Sequence, residues 1–242
     1  IINAERNGGF AYGNNIGINK SKGKYLFLLN PDTYLEDNSI EKLLQRISGD
    51  EKIAIIGPKL LNADGSNQSC FLPKSYLTLW RLFCEQFYLY RLFSNIYIFN
   101  SYFRTYMDYD VESFVEQVSG AAFMFRRDII NTIGFLDENY FMYFEESDYC
   151  MQAVKKGFKL LYYPESIITH TQSAGTFSER AIRDFVKSFK YFFKKNYRIK
   201  TYYLALFIFI LGSSVRLLKF FIVRDKRYNA FIYYLKCILN NK

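Results

Sequence analysis

The sequence predicts an α/β fold that is followed by a basic, apolar helical region. Three observations carry this prediction. Short apolar runs alternate with an amphipathic helical pattern early in the chain, which is typical of a parallel or mostly parallel sheet. The chain has 242 residues, half of them hydrophobic, which is enough to form a sizeable core. The net charge of +9 is concentrated in the last quarter of the chain.

Local patterns predict the elements of the first 60 residues. The stretch from Asn7 to Ile18 is rich in Gly and Asn, so we predict a loop with turns there. Lys24–Leu29 suits a buried strand, and Lys52–Ile56 suits a second one that ends at Gly57-Pro58. Between these runs, Asp37–Ile47 carries apolar residues at helical spacing and predicts an amphipathic helix.

The middle of the chain continues the alternation after an aromatic-rich stretch. Tyr76–Met107 has few breakers and is predicted to be helical or irregular. Later patterns predict, in order, a strand over Gln117–Phe125, a short helix over Arg127–Ile133, an amphipathic helix over Glu145–Lys156 and a strand over Lys159–Tyr163.

Charge divides the chain into two predicted domains, residues 1–179 and residues 180–242. The first part has a net charge of −4, and the second has 15 basic residues against two acidic ones. This asymmetry favours a domain with a basic appendage over a globule that binds nucleic acid.

The basic appendage contains an apolar segment, Thr201–Val215, with 15 uncharged residues. A membrane-spanning helix needs about 20 apolar residues, so we predict that the segment lies in the membrane interface. Basic clusters on both sides would attract anionic lipid head groups. A buried core helix in a basic subdomain is the alternative.

The cysteines and the N-terminus bear on the compartment. The four cysteines form no CxxC pair, which favours a reducing environment over a disulfide framework. The chain begins at Ile1 inside a strand-like pattern and shows no secretory signal. We therefore predict a cytoplasmic protein, peripheral on the inner face of the cell membrane, whose N-terminus is missing.

The first polar feature that could carry chemistry is Asn30-Pro31-Asp32, directly after a predicted strand. Ligands of open α/β sheets bind at the carboxyl ends of strands. A carboxylate in this place can bind Mg²⁺ or Mn²⁺, which prefer oxygen ligands. The same three residues also make an ordinary turn, and that alternative stays open.

The second feature is an acidic group, Glu145, Glu146 and Asp148, after the aromatic run Tyr140–Phe144. An apolar wall raises the pKa of a carboxyl group and suits it to general-base catalysis. Acidic residues in the first turn of a helix also offset the helix dipole, which is the alternative interpretation.

The third feature is His170, the only histidine of the chain. A lone histidine is more often a hydrogen-bonded structural residue than a ligand. This one begins a polar loop directly after a predicted strand, and that position favours a site.

Taken together, these features resemble family 2 glycosyltransferases, especially the rhamnosyltransferase-like branch. The resemblance rests on NGGFAYGNNIGI, on YLFLLNPDTYL and on the long stretch from Val118 to His170. It implies a GT-A fold with a mixed, mostly parallel sheet. It also implies a transfer with inversion, from a nucleotide-diphosphate sugar such as a rhamnose donor to a glycan or lipid-linked acceptor in cell-surface polysaccharide synthesis.

The resemblance assigns the donor side of the site. One divalent cation, Mg²⁺ or Mn²⁺, holds the donor diphosphate in such enzymes. Asp32 matches the main metal ligand, His170 a histidine that completes the metal shell, and Asn30 an acidic position of the family that is changed here. Asn7 and Asn15 are expected to shape the donor pocket, although both could simply form turns.

The resemblance also assigns the acceptor side. Glu145 and Glu146 match the acidic pair that supplies the catalytic base, with Glu146 in the base position and Asp148 in reserve. The family commonly has Asp at the base position, so Glu146 is a departure. Ser119 and Gly120 are expected to line the acceptor side, where the missing Cβ of Gly120 allows a sugar to approach closely.

Because the opening strands of the family pattern are missing, we expect weak or no transferase activity from residues 1–242. Two alternatives of other classes therefore stay open. The first is a non-catalytic, membrane-associated remnant or scaffold of the same fold. A metal-dependent hydrolase is the weaker one, because the sequence offers a single histidine and a single strand-end aspartate as ligands.

Overall fold

A computed structural model describes residues 1–68, 73–171 and 178–240. The described residues divide into two compact units, of which each is described separately below. The first unit comprises Ile1–Tyr76, Met107–Glu138 and Glu145–Ala174, and the second comprises Leu77–Tyr106, Asn139–Phe144 and Gly175–Lys242. This division differs from the predicted domains, because two internal segments group with the C-terminal helices.

The first unit is built around a six-stranded sheet in the order β1-β5-β3-β6-β2, with β4 paired to β6. Its strands are β1 Tyr25–Leu29, β2 Thr33–Leu35, β3 Ile53–Leu61, β4 Ser113–Val115, β5 Ala122–Arg126 and β6 Lys159–His170. Its helices are α1 Gly9–Lys20, α2 Ser39–Ser48, α6 Ile130–Ile133 and α7 Glu145–Lys155, with a 3₁₀ turn at Arg127–Ile129 before α6.

The sheet is mixed, as predicted, but the predicted excess of parallel pairs is wrong for the described strands. Only β3 and β6 pair in parallel, whereas β5 runs antiparallel to both β1 and β3. The pairs β2–β6 and β4–β6 are antiparallel as well. The apolar runs in the sequence report burial and carry no information on strand direction, which is the reason for the difference.

Both faces of the sheet are covered by amphipathic helices. On one face, Leu43 and Ile47 of α2 pack with Ile56 of β3. On the other, Tyr149 of α7 packs edge-on against Phe125 of β5, with ring centroids 5.5 Å apart. The helical patterns of α2 and α7 are therefore confirmed, because their apolar stripes face the sheet.

Helix α1 replaces the loop that the Gly and Asn content predicted between Asn7 and Ile18. The side chain of Asn15 is buried and bonds the backbone of Leu136, both as donor (2.8 Å) and as acceptor (3.2 Å). The Asn14 amide donates to the Phe10 carbonyl within the helix (2.9 Å). These contacts, one of them over 121 residues, override the weak local propensity for helix.

Two strands run through prolines at which the sequence predicted their ends. Strand β3 continues past Gly57-Pro58, and β6 continues past Pro164. The parallel ladder shifts register between Pro58 and Lys59, so that β6 has extra, unpaired residues there. Such a bulge tolerates a residue without an N–H group. The consequence is a longer β6 that reaches His170.

The second unit is helical. Its helices are α3 Leu79–Gln86, α4 Leu89–Leu92, α5 Tyr97–Asn100, α8 Glu179–Asn196, α9 Ile199–Ile222 and α10 Tyr228–Leu239. An ion pair of 2.8 Å joins Arg216 of α9 to Glu85 of α3, and both side chains are largely buried. Packing of α3 on α9 explains why residues 77–106 group with the C-terminal region.

Helix α9 is longer than the predicted apolar segment of 15 residues. With 24 residues, it is the one helix among the described residues whose length and composition would allow it to cross a membrane. The prediction that this segment is too short to span is therefore wrong on length, because the helix continues through Arg216 and Lys219.

Candidate functional site

The end of β1 and the end of β6 bring three predicted site residues together. Strand β2 pairs with β6 so that Thr33 lies opposite His170. As a result, Nε2 of His170 lies 3.3 Å from Oδ1 of Asp32 and 3.5 Å from Nδ2 of Asn30. The backbone N–H of Thr171 also donates to the Asp32 carbonyl (2.9 Å). Residues that are about 140 positions apart thus form one cluster.

Gln68 fixes the orientation of the His170 ring. The Gln68 Nε2 donates to the His170 carbonyl (2.8 Å), so its Oε1 is the atom that faces Nδ1 of the ring, at 2.9 Å. An amide oxygen accepts, so Nδ1 is the ring nitrogen that donates to Gln68. The other ring nitrogen, Nε2, is on the side of Asp32.

Gln68 is a site residue that the sequence analysis missed. It belongs to a turn cluster after β3, and its backbone N–H returns to the Leu60 carbonyl (3.0 Å). Its neighbours in the sequence are Gly, Asn and Ser residues, which indicate a turn and do not point to a contact with a distant histidine. The Gln68 side chain comes to lie beside His170 only because this turn folds back onto β3.

The atoms that Asp32 and His170 offer are of the kinds that bind a divalent cation. Nε2 of His170 and Oδ1 of Asp32, which are 3.3 Å apart, are a nitrogen and an oxygen ligand of the kinds that divalent cations take in proteins. Neighbouring ligand atoms of an octahedral Mg²⁺ are themselves about 3 Å apart. His170 is fully buried, whereas the Asp32 side chain is 37% exposed, so the cluster is open on one side.

The cluster does not enclose a cation by itself. The described part of the chain has no group of three or more His, Cys, Asp and Glu side chains that could hold a metal ion. Asp32 and His170, with the amide of Asn30 nearby, would leave several coordination positions to other ligands. Mg²⁺ sites that are completed by substrate phosphates have this character.

The acidic group at the start of α7 contains a buried Glu145 next to a half-buried Glu146. Glu145 is buried, and its Oε2 has no hydrogen-bond partner among the described residues. Burial first, and then the charge of Glu146, raise the pKa of Glu145 to about 9. Burial also raises the pKa of Glu146, against the attraction of Lys74. Both carboxyl groups therefore have raised pKa values, and burial is the main cause for each.

Gly120 lies directly against the side chain of Glu146. A Cβ atom at Gly120 would be 3.4 Å from both Cβ and Cγ of Glu146. The turn that contains Gly120 is closed by Ser119, whose Oγ accepts from the Ala121 N–H (3.2 Å). The Ala121 carbonyl in turn accepts from the Asn30 N–H (2.9 Å). The turn from Ser119 to Ala121 therefore lies between the cluster of Asn30, Asp32 and His170 and the acidic residues Glu145 and Glu146.

Asp148 is on another side of helix α7. It is two positions after Glu146, which corresponds to about 200° around the helix axis. It is buried, and the Gln152 amide donates to its Oδ1 (3.3 Å). The aromatic residues before the helix also have other partners, since Phe144 packs with Phe192 at 5.2 Å and Tyr140 with Tyr191 at 4.8 Å.

The two predicted donor-pocket asparagines both have structural bonds. Asn7 is exposed, and its Oδ1 accepts from the Gly9 N–H at the start of α1 (3.3 Å). The two donor bonds of the Asn15 amide go to the Leu136 carbonyl and to Glu138 Oε1 (2.9 Å). A role of Asn7 and Asn15 in a donor pocket stays a prediction.

Comparison with known proteins identifies the family. The sequence model of the family described as "Glycosyltransferase like family 2" matches residues 1–190, more than three quarters of the chain. The chain belongs to this family. The predicted resemblance and the predicted fold class, an α/β fold of GT-A type with a mixed sheet and C-terminal apolar helices, are confirmed at this level.

Two individual proteins are similar to this family 2 chain. The low-salt glycan biosynthesis hexosyltransferase Agl10 of Haloferax volcanii is 26% identical over 165 residues, which are 66% of this chain and 47% of that protein. The crystal structure of GalNAc-T7 with UDP, GalNAc and Mn²⁺ is 18% identical with a TM-score of 0.49, over 78% of this chain and 38% of the other. The chain spans about half the length of the curated relative.

Proposed function

We propose that this chain is the catalytic part of an inverting glycosyltransferase. It transfers a sugar, with rhamnose as the first candidate, from a nucleotide-diphosphate donor to a glycan or lipid-linked acceptor of a cell-surface polysaccharide. The observation that carries the proposal is the pair His170 and Asp32, 3.3 Å apart, with the ring held by Gln68. Family membership and a curated relative that is a hexosyltransferase of glycan biosynthesis support it.

The donor side of the reaction belongs to the cluster at the end of β1. Asp32 and His170 would hold Mg²⁺ or Mn²⁺, with Asn30 beside them. When bound, such a cation acts as a Lewis acid that stabilises the negative charge on the departing nucleoside diphosphate. The contribution of the chain is to place a carboxylate oxygen and an imidazole nitrogen 3.3 Å apart.

The acceptor side belongs to Glu146. Its ionised carboxylate removes the proton from an acceptor hydroxyl while the hydroxyl oxygen attacks the anomeric carbon from the face opposite the diphosphate. A single displacement of this kind inverts the configuration. The bare Cα of Gly120 leaves room for the Glu146 side chain beside it. In this proposal Ser119 and Gly120 line the acceptor side.

Binding of a nucleoside diphosphate tests the donor side without knowledge of the sugar. We expect UDP or dTDP to bind the 242-residue chain more tightly with Mn²⁺ than without it, because Asp32 and His170 would hold a cation that offsets the charge of the diphosphate. Asp32→Ala should abolish the Mn²⁺-dependent part, as measured by isothermal titration calorimetry. The exposed Asp37→Ala is the matched control and should bind like the unchanged chain. Equal binding by Asp32→Ala would contradict the proposal and favour the scaffold alternative.

The location that we propose for the enzyme is the cytoplasmic membrane surface, with α9 lying in the interface. One face of α9 is buried in the helical unit, including Phe209 and Gly212. The other face is an exposed apolar stripe, which consists of Leu204, Phe207, Leu211, Val215, Leu218 and Ile222. A helix with one packed face and one apolar exposed face is suited to lie in a lipid interface. Arg198 and Lys200 precede the exposed stripe, and Arg224 and Lys226 follow it. These basic side chains suit anionic head groups.

Liposome flotation tests this location. We expect the chain to float with anionic vesicles, and the double variant Phe207→Ser, Leu218→Ser to partition at least tenfold less, because each apolar side chain contributes up to about 1.5–3 kcal/mol when it leaves water. The control carries the same change at exposed apolar positions of the first unit, Tyr34→Ser and Phe135→Ser. Equal loss in both variants, or no loss in either, would contradict the interfacial role of α9.

A further inference from the structure

The helical unit contains a cavity that the proposed reaction does not use. Its volume is about 310 Å³, and eleven of its nineteen lining residues are aromatic. Helices α3, α8, α9 and α10 all contribute to its wall, with Phe189, Phe209 and Phe231 among the buried rings. Burial raises the pKa of Tyr234 in this wall to about 12. A cavity of this size with such a lining is suited to an apolar ligand.

Two buried polar atoms in the wall lack hydrogen-bond partners. Oε1 of Gln86 and Oγ of Ser213 have none among the described residues, and both side chains are at least 96% buried. Burial of an unpaired acceptor or hydroxyl costs about 1–3 kcal/mol, so such groups are normally satisfied. Both residues line the cavity, so a small rotation of either side chain would offer a polar partner to a ligand in this largely aromatic wall.

The charge of the wall is positive. Three arginines and one glutamate line the cavity. Both carboxylate oxygens of Glu85 are occupied, one by Arg216 (2.8 Å) and the other by the Gln86 amide (2.7 Å). Arg227 is paired with Asp225. Arg91 is exposed at the rim, bonds the Tyr90 hydroxyl (2.9 Å) and forms no ion pair with any described residue. A negative head group would complete the environment of Arg91.

We propose that this cavity binds a single-chain lipid phosphate. The hydrocarbon chain of the lipid lies against the aromatic rings, and its phosphate lies between Arg91 and the polar pair Gln86 and Ser213. A phosphate monoester suits this pair, since its oxygens accept from a hydroxyl and, near its second pKa of about 6, it retains a proton to donate. Two sources have this chemistry, a prenyl phosphate and a lysophosphatidic acid from the membrane. The site does not rest on the reaction proposed above.

Calorimetric titration of the full chain below the critical micelle concentration tests the site with three probes. The probes are farnesyl phosphate, 1-oleoyl-lysophosphatidic acid and inorganic phosphate. Binding of farnesyl phosphate alone supports the proposal and points to a prenyl phosphate. Equal binding of both lipids supports the proposal and points to the bilayer. Binding of inorganic phosphate as tight as that of the lipids, or no lipid binding up to 1 mM, would overturn it.

Variants separate this site from unspecific adsorption. Ser213→Ala removes an unpaired buried hydroxyl, so it should leave the thermal midpoint unchanged or higher while lipid affinity falls several-fold. Arg91→Gln at the exposed rim should lower affinity about three- to tenfold, and Arg180→Gln, an exposed arginine of α8 outside the cavity, should not. Unchanged affinity in both Ser213→Ala and Arg91→Gln would overturn the proposal.

Discussion

Glu146→Gln is expected to lower the rate of sugar transfer by about 10²–10⁴, the usual contribution of a general base. The amide keeps the size of the side chain and its contact with Gly120 but cannot take up a proton. Binding of a nucleoside diphosphate with Mn²⁺ should stay unchanged, because the cluster of Asp32 and His170 is untouched. A loss confined to kcat is the signature of a group that acts in the chemical step.

The pH dependence of transfer follows from the same residue. Burial raises the pKa of Glu146, and the ionised form is the active one, so the rate should rise with pH through that raised pKa. Glu146→Asp should retain part of the activity. Asp148→Asn is the control on the same helix. If Asp148→Asn lost activity as strongly as Glu146→Gln is expected to, the base would be assigned wrongly.

Glu145→Gln is expected to stabilise the fold at neutral and alkaline pH. The folded chain holds Glu145 protonated with a pKa of about 9, whereas the unfolded chain ionises it near its ordinary value of 4.5. The stability associated with this proton is fully present below pH 4.5 and is lost as the pH rises towards 9. At pH 7 the loss is on the order of 3 kcal/mol. Gln cannot ionise and avoids this loss.

Urea denaturation at pH 5, 7 and 9 measures the effect of Glu145. The free energy of unfolding of the unchanged chain should fall over this range, and that of Glu145→Gln should fall much less. Glu51→Gln, at an exposed turn, removes the same charge from solvent and should follow the unchanged chain. Parallel pH curves for Glu145→Gln and the unchanged chain would show that Glu145 is ionised in the fold.

The elements that the sequence predicted well are those with local causes. The helical spacing of Leu43 and Ile47 predicts α2, and the apolar run at Tyr25–Leu29 predicts β1. Helix α1 was missed because its stability depends on Asn15 reaching Leu136, a contact that no local pattern reports. The extension of β6 past Pro164 was missed because a bulge in the paired strands absorbs the proline.

The candidate site also contains residues that could be predicted from the sequence and residues that could not. Asn30, Asp32 and His170 were predicted from strand ends and family motifs, and the structure brings them together across β2 and β6. Gln68 was not predicted, because its partner lies 102 residues away and its own neighbourhood shows only turn residues. The cavity of the helical unit could not be predicted from the sequence either. Its wall combines several helices, and in the sequence the apolar residues of these helices cannot be distinguished from ordinary core residues.

The environment of His170 tests the central assignment most directly, because it is the only histidine of the chain and its ring signals in an NMR spectrum need no assignment. With a nucleoside diphosphate present, addition of Mn²⁺ should broaden these signals in the unchanged chain, and they should stay sharp in Asp32→Ala. Sharp His170 signals in an unchanged chain to which Mn²⁺ and the nucleoside diphosphate are demonstrably bound would contradict the account.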